Sequence, residues 1–194
     1  MKIMSINAGS SSLKFSLFNM DTKEVLLSGL FERIGIEGSC YTLEYGEYKI
    51  KNEALMETHL DAVKILMDKL LELKIVNSLE EIDGIGHRIV HGGAIYKESV
   101  VVTDKVLDDI IALSDLAPLH NPAHAMCIKA FREVLPNTPM VVVFDTAFHQ
   151  TIEKDRFLYP VPYNWYTDYQ VRKYGAHGTS HRSVSYTHLT LPTT

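Results

Sequence analysis

The feature that most constrains the fold is a change of hydrophobic period near residue 52. Before it, apolar and polar side chains alternate. Lys2 to Ile6 leads into a small-residue turn, after which Leu13, Phe15 and Leu17 alternate with Lys14, Ser16 and Phe18. Val25–Phe31 and Tyr41–Ile50 repeat the texture, with turn breaks at Asp21 and Gly46. A period of two turns every second side chain to one face, so this part predicts a run of antiparallel strands. From Asn52 the spacing lengthens: Leu55, Leu60, Val63, Leu66, Met67, Leu70 and Leu71 recur at three- and four-residue steps with Glu and Lys between them. That pattern predicts an amphipathic helix, capped by Asn52 and ending near Lys74.

The rest of the first three quarters alternates. Asp83–Val90 reads as a strand closed by Gly92-Gly93, and Thr103 is placed to cap a helix through Leu113. Asn121-Pro122 puts a capping residue before a proline at the first helical position, predicting a second helix to Leu135. Met140–Phe144, MVVVF, is a short apolar run between prolines and an aspartate, the pattern of a strand buried on both faces. Strands first, then helices alternating with strands, predict an α/β domain over residues 1–147 with a mixed sheet flanked by helices. Beyond Phe148, Pro160, Pro162 and crowded aromatics loosen the texture and mark the entry to a second domain or a large loop.

Composition narrows the function. Nineteen Lys and Arg against 24 Asp and Glu give a net charge of −5 over 194 residues, and no basic run suits a phosphodiester backbone or anionic lipid. No stretch approaches the ~20 apolar residues that cross a bilayer, and the polar run after Ile6 stands where a signal peptide needs its apolar core. We expect a cytoplasmic protein with neither nucleic acid nor membrane as partner. Cys40 and Cys127 sit far apart outside any CxxC setting and read as small core residues.

Several residues point to chemistry. In MSINAGSSSLKFSL, a glycine and three serines after a strand can aim backbone and hydroxyl donors at an anion, with Lys14 adding a point charge and Asn7 reaching a metal-bound water or phosphate. A plain hairpin explains the same spacing equally well, and no GxxxxGK[ST] motif is present. In GHRIVHGG, Arg88 interrupts an apolar strand, and its planar fork suits a carboxylate or phosphate, or else an internal ion pair. Asp145 ends the MVVVF strand, where ligands of open α/β sheets lie, with a cap for the following Thr146-Ala147 turn as the lesser alternative. Three His-x-x-x-His pairs, His87/His91, His120/His124 and His177/His181, raise a zinc hydrolase as a rival, with no HExxH to supply a base. His177, beside small neighbours, is better placed to donate to a passing anion.

NAGSSSLKFSLF, GHRIVHGG, APLHNP, VVVFDTAFH and YGAHGTSH occur in this order with the intervals of the acetate kinase family, over residues 1 to about 183. The chain resembles the N-terminal part of that family, within the acetate and sugar kinase, actin-like superfamily. The resemblance implies a ribonuclease H-like (actin-like ATPase) domain over 1–147, the beginning of a second, nucleotide-binding domain over 148–183, and a tail over 184–194 that departs from the family and is not native. It also implies reversible phosphoryl transfer from ATP to acetate with Mg²⁺, a cytoplasmic homodimer, and a fragment inactive by itself. By position, Asn7 matches a magnesium-site residue, Lys14 an ATP-contacting lysine, and Ser10 and Ser12 the phosphate turn. Arg88 matches the arginine that holds the acetate carboxylate, with His120 beside the site, Asp145 the essential aspartate and His177 the histidine that stabilises the transition state. Val90 and Leu119 match walls of an apolar acyl pocket, whereas Ala176 replaces the family's usual Phe. That exchange opens room for propionate or butyrate, each extra methylene being worth about 0.8 kcal/mol when buried. An acetate carboxylate is already ionised at neutral pH and needs no base, so Asp145 is expected to position Mg²⁺ through water rather than move a proton. A non-catalytic actin-like nucleotide-binding domain is the remaining alternative.

Overall fold

In the computed structural model, which describes residues 1–188, eight strands form one sheet in the order β5-β4-β3-β2-β1-β6-β8-β7. The first five are β1 (Lys2–Ala8), β2 (Ser12–Asn19), β3 (Glu24–Glu32), β4 (Cys40–Tyr45) and β5 (Tyr48–Glu53), joined as an antiparallel meander. β6 (Gly84–Ile89) runs parallel to β1, and β8 (Met140–Phe144) parallel to β6, while the short β7 (Val100–Val101) closes the edge antiparallel to β8. The sheet is therefore mixed, as expected. Parallel neighbours need crossover connections, and helices supply them: α1 (His59–Glu72) between β5 and β6, α2 (Asp104–Ala112) and α3 (Asn121–Val134) before β8.

These three helices cover one face of the sheet. Leu13, Phe15, Leu17, Leu27, Phe31 and Leu43 meet Val63, Leu66, Met67 and Leu70 of α1 and Cys127 and Phe131 of α3 in one buried cluster. A second cluster joins Ile89, Val142 and Phe144 to Val106, Leu107 and Ile110 of α2 and to Ile128 of α3. Fully burying each such side chain stabilises by roughly 1.5–3 kcal/mol, which makes this face the main source of stability. Strand alternation then turns the intervening residues to the opposite face. Asn7 pairs with Lys14, Ser5 with Ser16 and with Gly86, and Arg88 with Val143.

Local expectations are corrected in four places. Asn52 lies in β5, its amide donating to the Tyr41 hydroxyl, and α1 starts later, at a capping box in which Thr58 and Asp61 bond reciprocally. The apolar residues past Asn52 are shared between a strand, a connection and a helix, which periodicity alone cannot divide. Asn121 is the first residue of α3 rather than its cap; completely buried, it bonds both backbone groups of His91 and the Ile110 carbonyl. β8 is not sealed on both faces, because Val141 and Val143 are half-buried on the side away from the helices. Cys127 is buried as expected, but Cys40, near the sheet edge, is only half-buried. Thr103 caps α2 as predicted, accepting from the Val106 N–H.

After β8, the chain forms α4 (Lys154–Phe157), α5 (Asn164–Tyr169) and α6 (Gly178–His188). α6 rests against β8 and the turn at 147–149 on the face that α1–α3 leave open. The tail expected over 184–194 lies, from residue 189 on, outside the described residues. Among the described residues, no helix is long and apolar enough to cross a membrane.

Candidate active site

The open face of the sheet and α6 enclose a cleft of about 1020 Å³. Its polar lining follows from strand register: Ser5 and Asn7 from β1, Lys14 and Ser16 from β2, Arg88 from β6, and Asp145 just past β8. The three parallel strands end together here, so the site lies where ligands of such sheets bind. His177, Thr179, Ser180 and His181 close it from the start of α6.

Arg88 is the hub. Its Nη2 donates to Asp145 Oδ2 at 2.7 Å and its Nε to Asp145 Oδ1 and Oδ2 at 3.1 and 3.2 Å. The Asp145 side chain is only 3% exposed, against 38% for Arg88, so the acid is the buried partner. The carboxylate hydrogen bond outweighs the desolvation of the guanidinium and raises the Arg88 pKa further above its ordinary value. Nη1 of Arg88 lies 3.5 Å from Asn7 Oδ1, and Nη2 lies 3.2 Å from His177 Nδ1. A guanidinium can only donate, so in this contact Nδ1 of His177 accepts, which leaves Nε2 to carry the ring proton. His177 Nδ1 is also 3.7 Å from Asp145 Oδ2. The ion-pair reading of Arg88 is thus met through its Nε–Nη2 edge, while its Nη1 end is turned toward Asn7.

Backbone geometry holds these groups. The Asp145 N–H donates to the Ile89 carbonyl at 2.9 Å, tying the ends of β8 and β6. The Asp145 carbonyl accepts from the Gly178 N–H at 2.8 Å, docking the start of α6, and a Cβ at Gly178 would overlap that carbonyl. His177 itself has φ of +53°, a left-handed conformation uncommon for a side chain of this size.

The other expected residues lie elsewhere in the structure. Ser10 and Ser12 belong to the tight β1–β2 turn, in which Gly9 N–H donates to the Ser12 carbonyl at 2.7 Å; neither lines the cleft. The Gly9 carbonyl is held in turn at 2.8 Å by Nε2 of His59, the first residue of α1. Val90, Leu119, His120 and Ala176 are also absent from the lining of this cleft, and Leu119 is 76% exposed. Instead the Val90 N–H donates to Nδ1 of buried His124, whose ring also bonds the Ala8 backbone and stacks obliquely 6.3 Å from His120. Burial, with His120 nearby, pushes the His124 pKa down to about 4.

Two histidines take places that their sequence setting did not indicate. His87 faces the helices, edge-on to Phe131 at 5.3 Å, with Nε2 buried and unpartnered, and burial pushes its pKa down to about 3. His149 lies behind His177, bonded to the Ala176 carbonyl. The sequence signal for His87 is strand parity, since its neighbour Arg88 must face the other way; His149 is marked only as the last residue of VVVFDTAFH. Among the described residues no three His, Cys, Asp or Glu side chains converge as a metal-binding group, so the His pairs do not build a zinc centre.

Comparison with known proteins places this geometry. The model of the Acetokinase family matches residues 2–191. The acetate kinase of Anoxybacillus flavithermus is 56% identical over 184 residues, covering 95% of this chain and 46% of that protein, and an acetate kinase of Bacillus cereus is 57% identical with the same coverage. Among solved structures, Porphyromonas gingivalis acetate kinase superposes with a TM-score of 0.91 at 40% identity, covering 96% of this chain and 47% of that one. A propionate kinase from Francisella tularensis superposes at 0.90 with 42% identity, again over 96% and 47%. The chain spans about half the length of these relatives. With the motifs in order and the fold superposing throughout, the chain belongs to the acetokinase family.

Proposed function

We propose that this chain is the N-terminal part of an acetate kinase, transferring a phosphoryl group reversibly and in line between ATP and acetate. The observation that carries the reading is the Arg88 hub: one guanidinium at the carboxyl ends of three parallel strands, joined to Asp145, Asn7 and His177. Phosphoryl transfer is catalysed mainly by positioning and charge stabilisation, and such a hub supplies both. Asp145 occupies the Nε–Nη2 edge of Arg88, which leaves the Nη1 end for the substrate carboxylate. The Nε2–H of His177 is then the donor for an oxygen of the group in transfer, and Lys14 adds positive charge from the adjacent strand.

A nucleotide-bound Mg²⁺ would neutralise phosphate charge here. The donors fit such an ion, since Asn7 offers an amide oxygen and Asp145 a carboxylate, both hard ligands. Both Asp145 oxygens already face the guanidinium, which favours contact with the ion through water. Asp145 accordingly orients Arg88, would hold water bound to such an ion, and moves no proton. Residues 148–183 begin the second, nucleotide-binding domain in this reading, and the whole protein is a cytoplasmic homodimer that works without nucleic acid or membrane. The turn serines Ser10 and Ser12 then face ATP phosphates delivered from that domain.

The acceptor is a short carboxylate, with acetate first and propionate as the specific rival. Ala176 in place of Phe and the equally close superposition on a protein named propionate kinase favour tolerance of a longer chain. The test is hydroxylamine trapping of acyl phosphate by the protein expressed with the rest of its reading frame. Magnesium-dependent acetyl phosphate is expected, with the 194-residue chain alone inactive; its absence from the longer protein would overturn the reading. Ala176→Phe in that protein should raise the acetate-to-propionate ratio.

A further inference from the structure

We infer that His149 is a positioning residue for His177, holding the histidine that faces the transferring group in a backbone conformation it would not keep alone. The inference rests on the functional reading above and adds a residue to it. A left-handed φ is unfavourable for a non-glycine residue, and such conformations persist only where the surroundings over-determine them. At φ +53°, His177 meets that condition from both sides.

On the C-terminal side the Gly178 N–H is bonded to the Asp145 carbonyl, as described above. On the N-terminal side the anchor is His149, in the turn after β8. Its Nε2 lies 3.0 Å from the Ala176 carbonyl, and a carbonyl can only accept, so Nε2 carries the proton and donates. His181 Nδ1 lies 3.4 Å from the same nitrogen, tying the first turn of α6 to it. Gly175 packs directly on the His149 ring, where a Cβ would overlap ring carbons, so the 175–176 segment is seated against the imidazole. Phe148 and His181 stand edge-on to that ring, both with centroids at 5.3 Å. The peptide units on both sides of His177 are thus tied to the 145–149 segment, one by Asp145 and the other by His149. With both ends fixed, the side chain between them is set 3.2 Å from Arg88 Nη2.

Loss of this anchor should cost rate rather than substrate affinity, because misplacing a transition-state donor by about 1 Å costs up to ~10²-fold. The experiment uses the protein with its complete reading frame and measures kcat and both KM values in the hydroxylamine trap. His149→Ala is expected to lower kcat by about 10- to 100-fold with both KM values within about twofold of wild type. Gly175→Ala, which displaces the same segment without touching the cleft, should reproduce that split. His149→Gln, which retains a donor for the Ala176 carbonyl, should recover part of the rate. Thermal melting monitors folding, and Gly175→Ala carries the test if His149→Ala fails to fold. Unchanged kcat, or a rise in KM alone, in both replacements overturns the inference while leaving the functional reading intact. A wild-type protein that makes no acyl phosphate overturns both.

Discussion

Residues 1–147 carry all but one of the large buried apolar side chains among the described residues, whereas in 148–188 only Phe157 joins them. The later segment instead exposes Tyr159, Tyr163, Trp165, Tyr169, Val184 and Tyr186. Its internal order comes from local contacts, such as the Arg172 guanidinium 3.6 Å over the Phe157 ring and the Lys173 N–H bonded to the Phe157 carbonyl. Yet this thinly packed segment supplies His177. The first region therefore provides stability and most of the charged floor of the cleft, while the second provides geometry at small energetic cost. Stability and function should separate accordingly when each region is perturbed.

The largest effect on stability is expected from Phe131→Ala, which opens the core between α3 and the sheet. Urea unfolding should lose about 3–5 kcal/mol, and a loss under about 1 kcal/mol would break the comparison. Acid should act on the same region next. The His87 pKa lies near 3 in the folded chain against an ordinary 6.5, so only the unfolded chain binds that proton as pH falls below about 6.5. Stability is then full above that pH and declines toward about pH 3, by on the order of 1.4 kcal/mol per unit from this group. His87→Leu should flatten the decline measured by urea midpoints across pH, with a remainder from His124.

Smaller stability changes belong to the later segment. Gly178→Ala places a Cβ against the Asp145 carbonyl and should detach the start of α6. Because so little is buried there, unfolding should shift by no more than about 1 kcal/mol, while acyl phosphate formation by the longer protein should fall about 10²-fold. Retention of activity would show that α6 does not set the site. Trp165→Ala, at a residue 48% exposed, should change stability by no more than about 0.5 kcal/mol. A much larger loss would mean that 148–188 possesses a core of its own.

The meander, the crossover helices and the alternation around β1 and β2 are legible in the sequence because each follows from spacing of two or of three to four, whereas the uniformly apolar MVVVF hides the two-faced burial of β8. The same parity makes Asn7, Lys14 and Arg88 recognisable as polar interruptions and Asp145 as an acid at a strand end. Element boundaries are less legible. Thr58 rather than Asn52 caps α1, because the β4–β5 hairpin extends to Glu53 and claims Asn52 for the sheet. Asn121 reads as a cap from its residue type, but it is used as a buried clamp on His91, a role visible only once α3 packs beside β6. His149 ends the VVVFDTAFH motif, but its role is not legible there, since it depends on which carbonyl the ring reaches.

By itself the sequence determined the mixed sheet, the helices that flank it and the residue types of the site, because periodicity and composition act locally along the chain. The tertiary structure alone decided that Arg88 would pair with Asp145 across 57 residues and still meet Asn7 and His177. It also decided that Leu119, His120 and Ala176 stay off this cleft, and that His177 is held in a left-handed backbone between two anchors. Those outcomes depend on distances between strand ends, and no spacing in the sequence encodes a distance between residues brought together only by folding.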